Sequence, residues 1–339
     1  MKRVLFPERN NWQKTHQEIG FDYYNLPSRD GSIYWSEGVA YEFSLKQIEQ
    51  LEDASNQLHQ MCLEVAGDLI QRGDYPDYFQ IPNAAIALIE HSWKQKAPML
   101  YGRFDFAYDG QDIKMLEYNA DTPSGLLEAF VAQWHWIEQV ENIPNRDQFN
   151  SIHEALIERW TQLYPRKTTV YFAACQDAGR EDWGNLEYLM DTAFQAGLSV
   201  SELSMENIGW DGQHFVDLHL QQIQHLFKLY PWEWVWEESF AGFLQPQTEW
   251  IEPCWKMLLS NKAILIELWK RYPNHPLLLE THAYDPQQHY AGKWVRKPIL
   301  AREGANIHIV QNNVDCGEAS GSFYFKDYDK YGYVMQRWV

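Results

Sequence analysis

Between residues 45 and 72 the hydrophobic positions recur every three or four places: Ile48, Leu51, Leu58, Met61, Cys62, Val65, Leu69 and Ile70. That spacing predicts an amphipathic helix. Ser44 and Gln47 form a capping box at its start, and Arg72-Gly73-Asp74 marks its end. Further helices are predicted in NAAIALIEHSWKQ after Pro82 and in LLEAFVAQWHWIEQV after Gly125. Another falls in SNKAILIELWKRYPNHP, capped by Ser260 and stopped by Pro273. The run TVYFAA at 169–174 is short, apolar, β-branched and aromatic, and EYLMDTAFQAG after it has helical periodicity with a terminal glycine, which predicts a βα unit. WVRKPIL and NIHIVQ read as strands on either side of the loop AREGA. No repeat, low-complexity tract or Pro/Gly/Ser linker interrupts the chain. The elements predict an α/β or α+β fold, mixed sheets flanked by helices in one continuous unit.

Polar alternation is sharpest in GRFDFAYDGQDIKMLEYNADTPSG, residues 102–125. In a strand Arg103 and Asp105 share one side, and Phe104, Phe106 and Tyr108 share the other. Glu117 and Asn119 share a side of the next strand, and Asp109-Gly110 is a turn signal between them. With an odd number of loop residues the polar sets would face the same way. Two carboxylates brought together need a positive partner, and magnesium, with its preference for oxygen ligands, suits Asp105, Glu117 and Asn119. An exposed hairpin of solvated acids, with Arg103 as a surface ion-pair partner, accounts for the same spacing.

Two lysines and an aromatic segment carry weaker signals. Lys297 lies where a strand runs into a loop containing Gly304, whose lack of a Cβ would let backbone N–H groups approach a phosphate. Lys262 is expected in the first turn of its helix, where a cation opposes the macrodipole. Each also reads as an ordinary solvated lysine. In PWEWVWEESF, strand alternation would send Trp232, Trp234 and Trp236 to one face and Glu233 and Glu237 to the other, a setting for an ammonium group or an edge strand with an aromatic core face.

Composition narrows the classes. The chain has 339 residues, 45% hydrophobic, with 16 Trp, 20 Tyr and 16 Phe, enough for a large core without staples. A net charge of -19 argues against a nucleic-acid partner. Cys62, Cys175, Cys254 and Cys316 have neither disulfide-framework nor zinc spacing. No segment reads as a signal peptide or membrane span, so no membrane partner is expected and a cytoplasmic location is. No HExxH or GxSxG motif appears, leaving zinc or serine-triad hydrolysis unsupported.

YGRFDF, LEYNADTPSGLLEA, PWEWVWEESF, EPCWKMLLSNKAIL and KPILAREGANI, in that order, resemble the synthetase domain of glutathionylspermidine synthases and its stand-alone relatives, a branch of the ATP-grasp ligases. The resemblance runs from about residue 20 to the C-terminus. It implies a glutathione-synthetase-like fold, with a pre-ATP-grasp and substrate/metal region over about 1–240 and an ATP-grasp lid with the start of the ATP-binding region over about 241–339. It implies ATP and Mg2+ as cofactors, with Asp105, Glu117 and Asn119 as magnesium ligands and Arg103 near the transferred phosphoryl and acyl groups. Lys262 and Lys297 match nucleotide-phosphate lysines, Gly304 and Ala305 the loop closing over them, and Gln336 the beginning of a hinge strand beside the adenine. Thr122 and Ser124 match hydroxyls beside the thiol-peptide site, and Glu181 and Asp182 lie near the acids that recognise the amine. Glu233 and Glu238 stand where bifunctional members carry substrate-binding threonines, so glutathione and spermidine do not carry over directly. No counterpart of the cysteine amidase domain is expected, and the family's continuation past the hinge strand is expected to be cut short at Val339. The implied activity is amide formation through an acyl phosphate, joining a peptide-like carboxylate to an amine or polyamine. The alternatives are a catalytically inactive nucleotide- or peptide-binding protein on the same fold, and a magnesium-dependent phosphohydrolase.

Overall fold

The computed structural model describes residues 1–27, 31–141, 143, 146–177, 179–244, 246–319 and 326–339. The long helix is Leu45–Arg72, opened by a complete capping box in which Gln47 N–H donates to Ser44 Oγ at 3.4 Å and Ser44 N–H to Gln47 Oε1 at 3.1 Å. Gly73 closes it in the left-handed region at φ 61°, a conformation that costs glycine little. Its apolar face buries Leu58, Met61, Cys62, Val65 and Leu69 in the larger of the main cores.

Thr169–Ala174 is the centre of a four-stranded parallel sheet. The spatial order is Glu249–Ile251, His225–Lys228, Thr169–Ala174, Ser199–Ser204. Helix Arg180–Gln195 makes the crossover from 169–174 to 199–204. Both faces of the sheet are covered, which is why TVYFAA is a continuous apolar run. Val170, Phe172 and Ala174 pack with Leu186, Leu189 and Ala193 of the crossover helix. Tyr171 and Ala173 face the larger core with Leu226 and Trp250.

The C-terminal third forms a five-stranded antiparallel sheet ordered Thr281–Ala283, Tyr333–Arg337, Lys293–Pro298, His308–Gln311, Val314–Glu318. The strands read in WVRKPIL and NIHIVQ are paired here, Val295 opposite Ile309. The acidic hairpin, Arg103–Tyr108 with Ile113–Asn119, is a separate two-stranded sheet. It packs on the long helix through Met115 and Tyr118, and His59 Nδ1 lies 3.0 Å from the Tyr118 hydroxyl.

Four local expectations are corrected. Ser260 ends a short helix, Met257–Ser260, and does not cap the next one; its hydroxyl accepts the N–H groups of Ala120 at 2.9 Å and Asp121 at 2.6 Å. A tertiary partner has outcompeted the local cap. Lys262 therefore sits in the turn before helix Ile264–Arg271, where Asn261 Oδ1 accepts the Ala263 N–H at 2.9 Å. PWEWVWEESF is not a strand: Trp232–Val235 is helical and the next residues continue in turns. Asp121 Oδ2, accepting the Trp232 N–H at 2.8 Å, satisfies the first turn from a distance. Trp232 and Trp236, four apart, stack at 6.2 Å, while Trp234 turns to the Tyr230 ring. Gln336 lies near the end of its strand, which begins at Tyr333.

Candidate active site

The hairpin brings its polar residues to one face by a route the alternation alone did not give. The connection, residues 109–112, has four residues, an even number that would oppose the two polar sets. Tyr108 pairs with Ile113 and Phe106 with Met115, but Asp105 pairs with Glu117 and Arg103 with Asn119. Leu116 is the extra residue of a β-bulge, and it shifts the register by one, turning Glu117 and Asn119 onto the face of Arg103 and Asp105. Asn119 Nδ2 then reaches Glu117 Oε1 at 3.4 Å and Asp105 Oδ2 at 3.5 Å.

Cations close on this oxygen face. Lys262 Nζ lies 3.1 Å from Glu117 Oε2 and donates to the Ala301 carbonyl at 3.1 Å. Arg103 Nε donates to Asp105 Oδ1 at 2.8 Å, and its Nη1 to the Ser124 carbonyl at 3.2 Å. Lys297 Nζ donates to Gln336 Oε1 at 2.6 Å and to the Leu116 carbonyl, on the bulge itself, at 3.1 Å. Gln336 Nε2 donates to the adjacent Met115 carbonyl at 3.2 Å. The bulge thus aims Glu117 and also ties the hairpin to the antiparallel sheet. Burial alone would push the Glu117 carboxyl up, but Lys262 and Lys297 overcome it and hold the group down at about 2. Lys297 is pulled down to about 8 by burial, against the opposing pull of Glu117.

Two buried ion pairs fasten the open end of the hairpin. Before Arg103, Glu252 Oε1 accepts the N–H groups of Leu100 at 2.9 Å and Tyr101 at 3.1 Å. Its partner Lys256 donates to Glu252 Oε2 at 2.5 Å and to the Tyr101 carbonyl at 2.6 Å. After Asn119, Asp121 accepts from Lys228 Nζ at 2.6 Å. Glu252 and Lys228 are both fully buried, at the carboxyl ends of parallel strands. The sequence reading missed all four residues. Glu252 and Lys256, four apart beside a cysteine and a tryptophan, were the one pair whose spacing could have been read.

The remaining expected residues divide. Ser124 Oγ lies 3.5 Å from Glu181 Oε1, which joins the first turn of the crossover helix to the hairpin face. Burial raises Glu181 to about 7, with Glu128, Asp182 and Glu303 adding to it. Glu128, also unforeseen, enters from a π-helical turn, Glu128–Ala132, and accepts the Tyr34 hydroxyl at 2.6 Å. Asp182 is raised by burial and stands 3.8 Å from Arg302. Thr122 is half-buried on the segment between Asp121 and Ser124. Gly304, exposed at φ 69°, lies in the turn after Glu303; Ala305 is fully buried and its N–H closes that turn on the Arg302 carbonyl at 3.0 Å. Glu233 and Glu238 are not brought together. Glu233 shares a small cavity with Trp236, Glu237 and Asn261, whereas Glu238 lines a larger one with Glu206 and Trp210. Glu233 and Glu237 do share a side, by helical rather than strand spacing, and Glu237 is taken by Lys330 Nζ at 2.6 Å and the Tyr331 hydroxyl at 3.0 Å.

Among the described residues no three His, Cys, Asp or Glu side chains gather as a metal cluster. The oxygen face offers two carboxylates and an amide. That set fits magnesium, which keeps several places for water and phosphate oxygens. The described residues contain no helix long and apolar enough to cross a membrane.

Comparison with known proteins gives the chain its relatives. The model of the glutathionylspermidine synthase preATP-grasp family matches residues 3–339. A Haemophilus influenzae protein provisionally named an acid–amine ligase is 51% identical, over 99% of this chain and 88% of that one. Trypanothione synthetase of Crithidia fasciculata is 26% identical over 92% of this chain, and the bifunctional glutathionylspermidine synthetase/amidase of Escherichia coli 25% over 81%. The chain spans about half the length of those two, 51% and 48%. The solved structure of a glutathione synthetase-like effector from Globodera pallida superposes over 99% of this chain and 84% of its own, with a TM-score of 0.55 at 9% identity, and so shares the fold.

Proposed function

The chain belongs to the glutathionylspermidine synthase family, and from that premise we propose that it is an ATP-dependent carboxylate–amine ligase. The observation that carries this reading is the bulge-aligned face of Asp105, Glu117 and Asn119, met by Arg103, Lys262 and Lys297. Solvated surface acids would have no reason to be matched by a nearly buried lysine from another element. Asp105, Glu117 and Asn119 would hold magnesium, which offsets phosphate charge when bound. Lys262 and Lys297 would bind the nucleotide phosphates, and the turn containing Gly304 would cover them.

The chemistry asks little covalent work of the protein. The γ-phosphoryl group of ATP passes to the substrate carboxylate, giving an acyl phosphate and ADP. Attack of an amine on its carbonyl carbon then expels phosphate and forms the amide. Arg103, tethered to Asp105 and the Ser124 carbonyl, would steady the charge developing between carboxylate and phosphoryl group. Ser124 would orient the acid, and Glu181 and Asp182 would face the incoming amine. In the ligand-free protein the cations and acids neutralise one another, so binding exchanges partners and needs little rebuilding.

Release of ADP with MgATP and a panel of peptide-like acids and amines tests the reading. Turnover should require both an acid and an amine. Phosphate release that needs neither would point to a hydrolase, and tight nucleotide binding with no pair-dependent turnover to a binding protein.

A further inference from the structure

The four parallel strands run in spatial order fourth, third, first, second along the chain. The chain therefore leaves Thr169–Ala174 toward one side and reaches His225–Lys228 on the other. In such sheets the crevice beyond the carboxyl ends, where the order reverses, is where ligands bind. A cavity of about 360 Å³ lies there. Glu206 comes from the segment after Ser199–Ser204, and Tyr230 from the segment after His225–Lys228. The rest of the wall includes Trp210, Phe240, Phe243 and Glu238, and among the described residues no lysine, arginine or histidine lines it.

The acids are held in place. Glu206 accepts the Gln176 N–H, at 2.9 and 3.2 Å to its two oxygens, and Glu238 Oε1 accepts the Tyr230 hydroxyl at 2.5 Å. Trp210 stacks on Phe243 at 5.0 Å. The cavity also adjoins the candidate active site. Tyr230, on its wall, packs edge-on against Trp234 at 5.4 Å, and Arg302 lies over the Trp234 ring at 5.6 Å and stands 3.8 Å from Asp182, which follows Glu181 in the chain.

We propose that this cavity is a subsite for an alkylammonium or guanidinium group at the far end of a substrate whose reacting end lies at Ser124 and Arg103. Two fixed carboxylates supply the counter-charge, and aromatic faces favour a cation over a neutral group of the same shape. The inference rests on the ligase reading for which end reacts, but its geometry stands apart from the nucleotide site.

Calorimetric titration of the whole chain tests it with lysylglycine and spermidine, using norleucylglycine as the neutral match to the dipeptide. At least one cationic probe should bind about tenfold more tightly than norleucylglycine, and Glu206→Gln and Glu238→Gln should each remove most of that tenfold, about 1.4 kcal/mol. Selective loss of lysylglycine binding would assign the cation to the acid substrate, and selective loss of spermidine binding to the amine. No preference for a cation, or a preference that survives both substitutions, overturns the proposal. MgATP titration of the same variants reads the ligase proposal separately. Unchanged nucleotide affinity is expected, because neither glutamate contacts Lys262 or Lys297.

Discussion

Lys297 has a surrounding that a surface lysine would lack. It is 6% exposed, with the Leu116 carbonyl and Gln336 Oε1 as hydrogen-bond partners and Glu117 as counter-charge. A charged hydrogen bond is worth about 1.5–3 kcal/mol, so Lys297→Ala should weaken ATP binding about 10- to 100-fold by calorimetry. Unchanged affinity would count against its phosphate role. Asp105 makes the opposite case: it is half-buried, and its ion pair is with the exposed Arg103. Such a pair contributes about 0–1 kcal/mol. Asp105→Asn should therefore leave thermal unfolding nearly unchanged while magnesium-dependent ADP release falls sharply; loss of the fold instead would mark Asp105 as structural.

The hairpin is positioned by its bulge and by its two buried ion pairs, and their energetics differ from those of surface bridges. Removing one partner strands a charge, so Glu252→Ala should cost about 3–5 kcal/mol, seen as a lower urea midpoint. Replacing both by apolar residues, Glu252→Leu with Lys256→Met, should restore much of that stability, because the pair's own desolvation cost disappears with it. The double variant still loses the anchors of Leu100 and Tyr101 ahead of Arg103. Turnover in ADP release is thus expected to stay low in a well-folded protein. Recovery of full activity along with stability would show that the pair does not position the strand.

At the scale of the molecule, two sheets of different kind meet at the hairpin. The parallel sheet supplies Lys228 and Glu252, and the antiparallel sheet supplies Lys297 and Gln336. Packing acids into this junction makes stability depend on pH with a calculable sign. Burial raises Glu181 and, with Asp121, Glu233 to about 7 from an ordinary 4.5. Between those values the folded state binds more protons than the unfolded chain, so stability falls as pH rises through the window. Glu117, held at about 2, works in a separate window and loses its contribution as pH falls from 4.5 toward 2. Buried His16, pulled down from 6.5 to about 4 by burial, works in the opposite direction over part of this range, so the check is a difference: the melting temperature of the ligand-free protein relative to that of Glu233→Gln should decline from about pH 5 to pH 7. A flat difference would place the protonated groups elsewhere.

Much of this was legible from the residues. The capping box of the long helix, the βα unit after TVYFAA and the antiparallel strands around AREGA were written in local periodicity and turn chemistry, which act between near neighbours. The chemical types of the site were legible too, because hard oxygen donors and lysines keep their character in any fold. What the tertiary structure decided was convergence. A bulge at Leu116 overrode the even loop, Ser260 and Asp121 capped segments more than a hundred residues away, and Glu233 and Glu238 were sent to separate cavities. Those outcomes turn on which buried polar group finds a partner across the core, a competition settled only when the sheets pack.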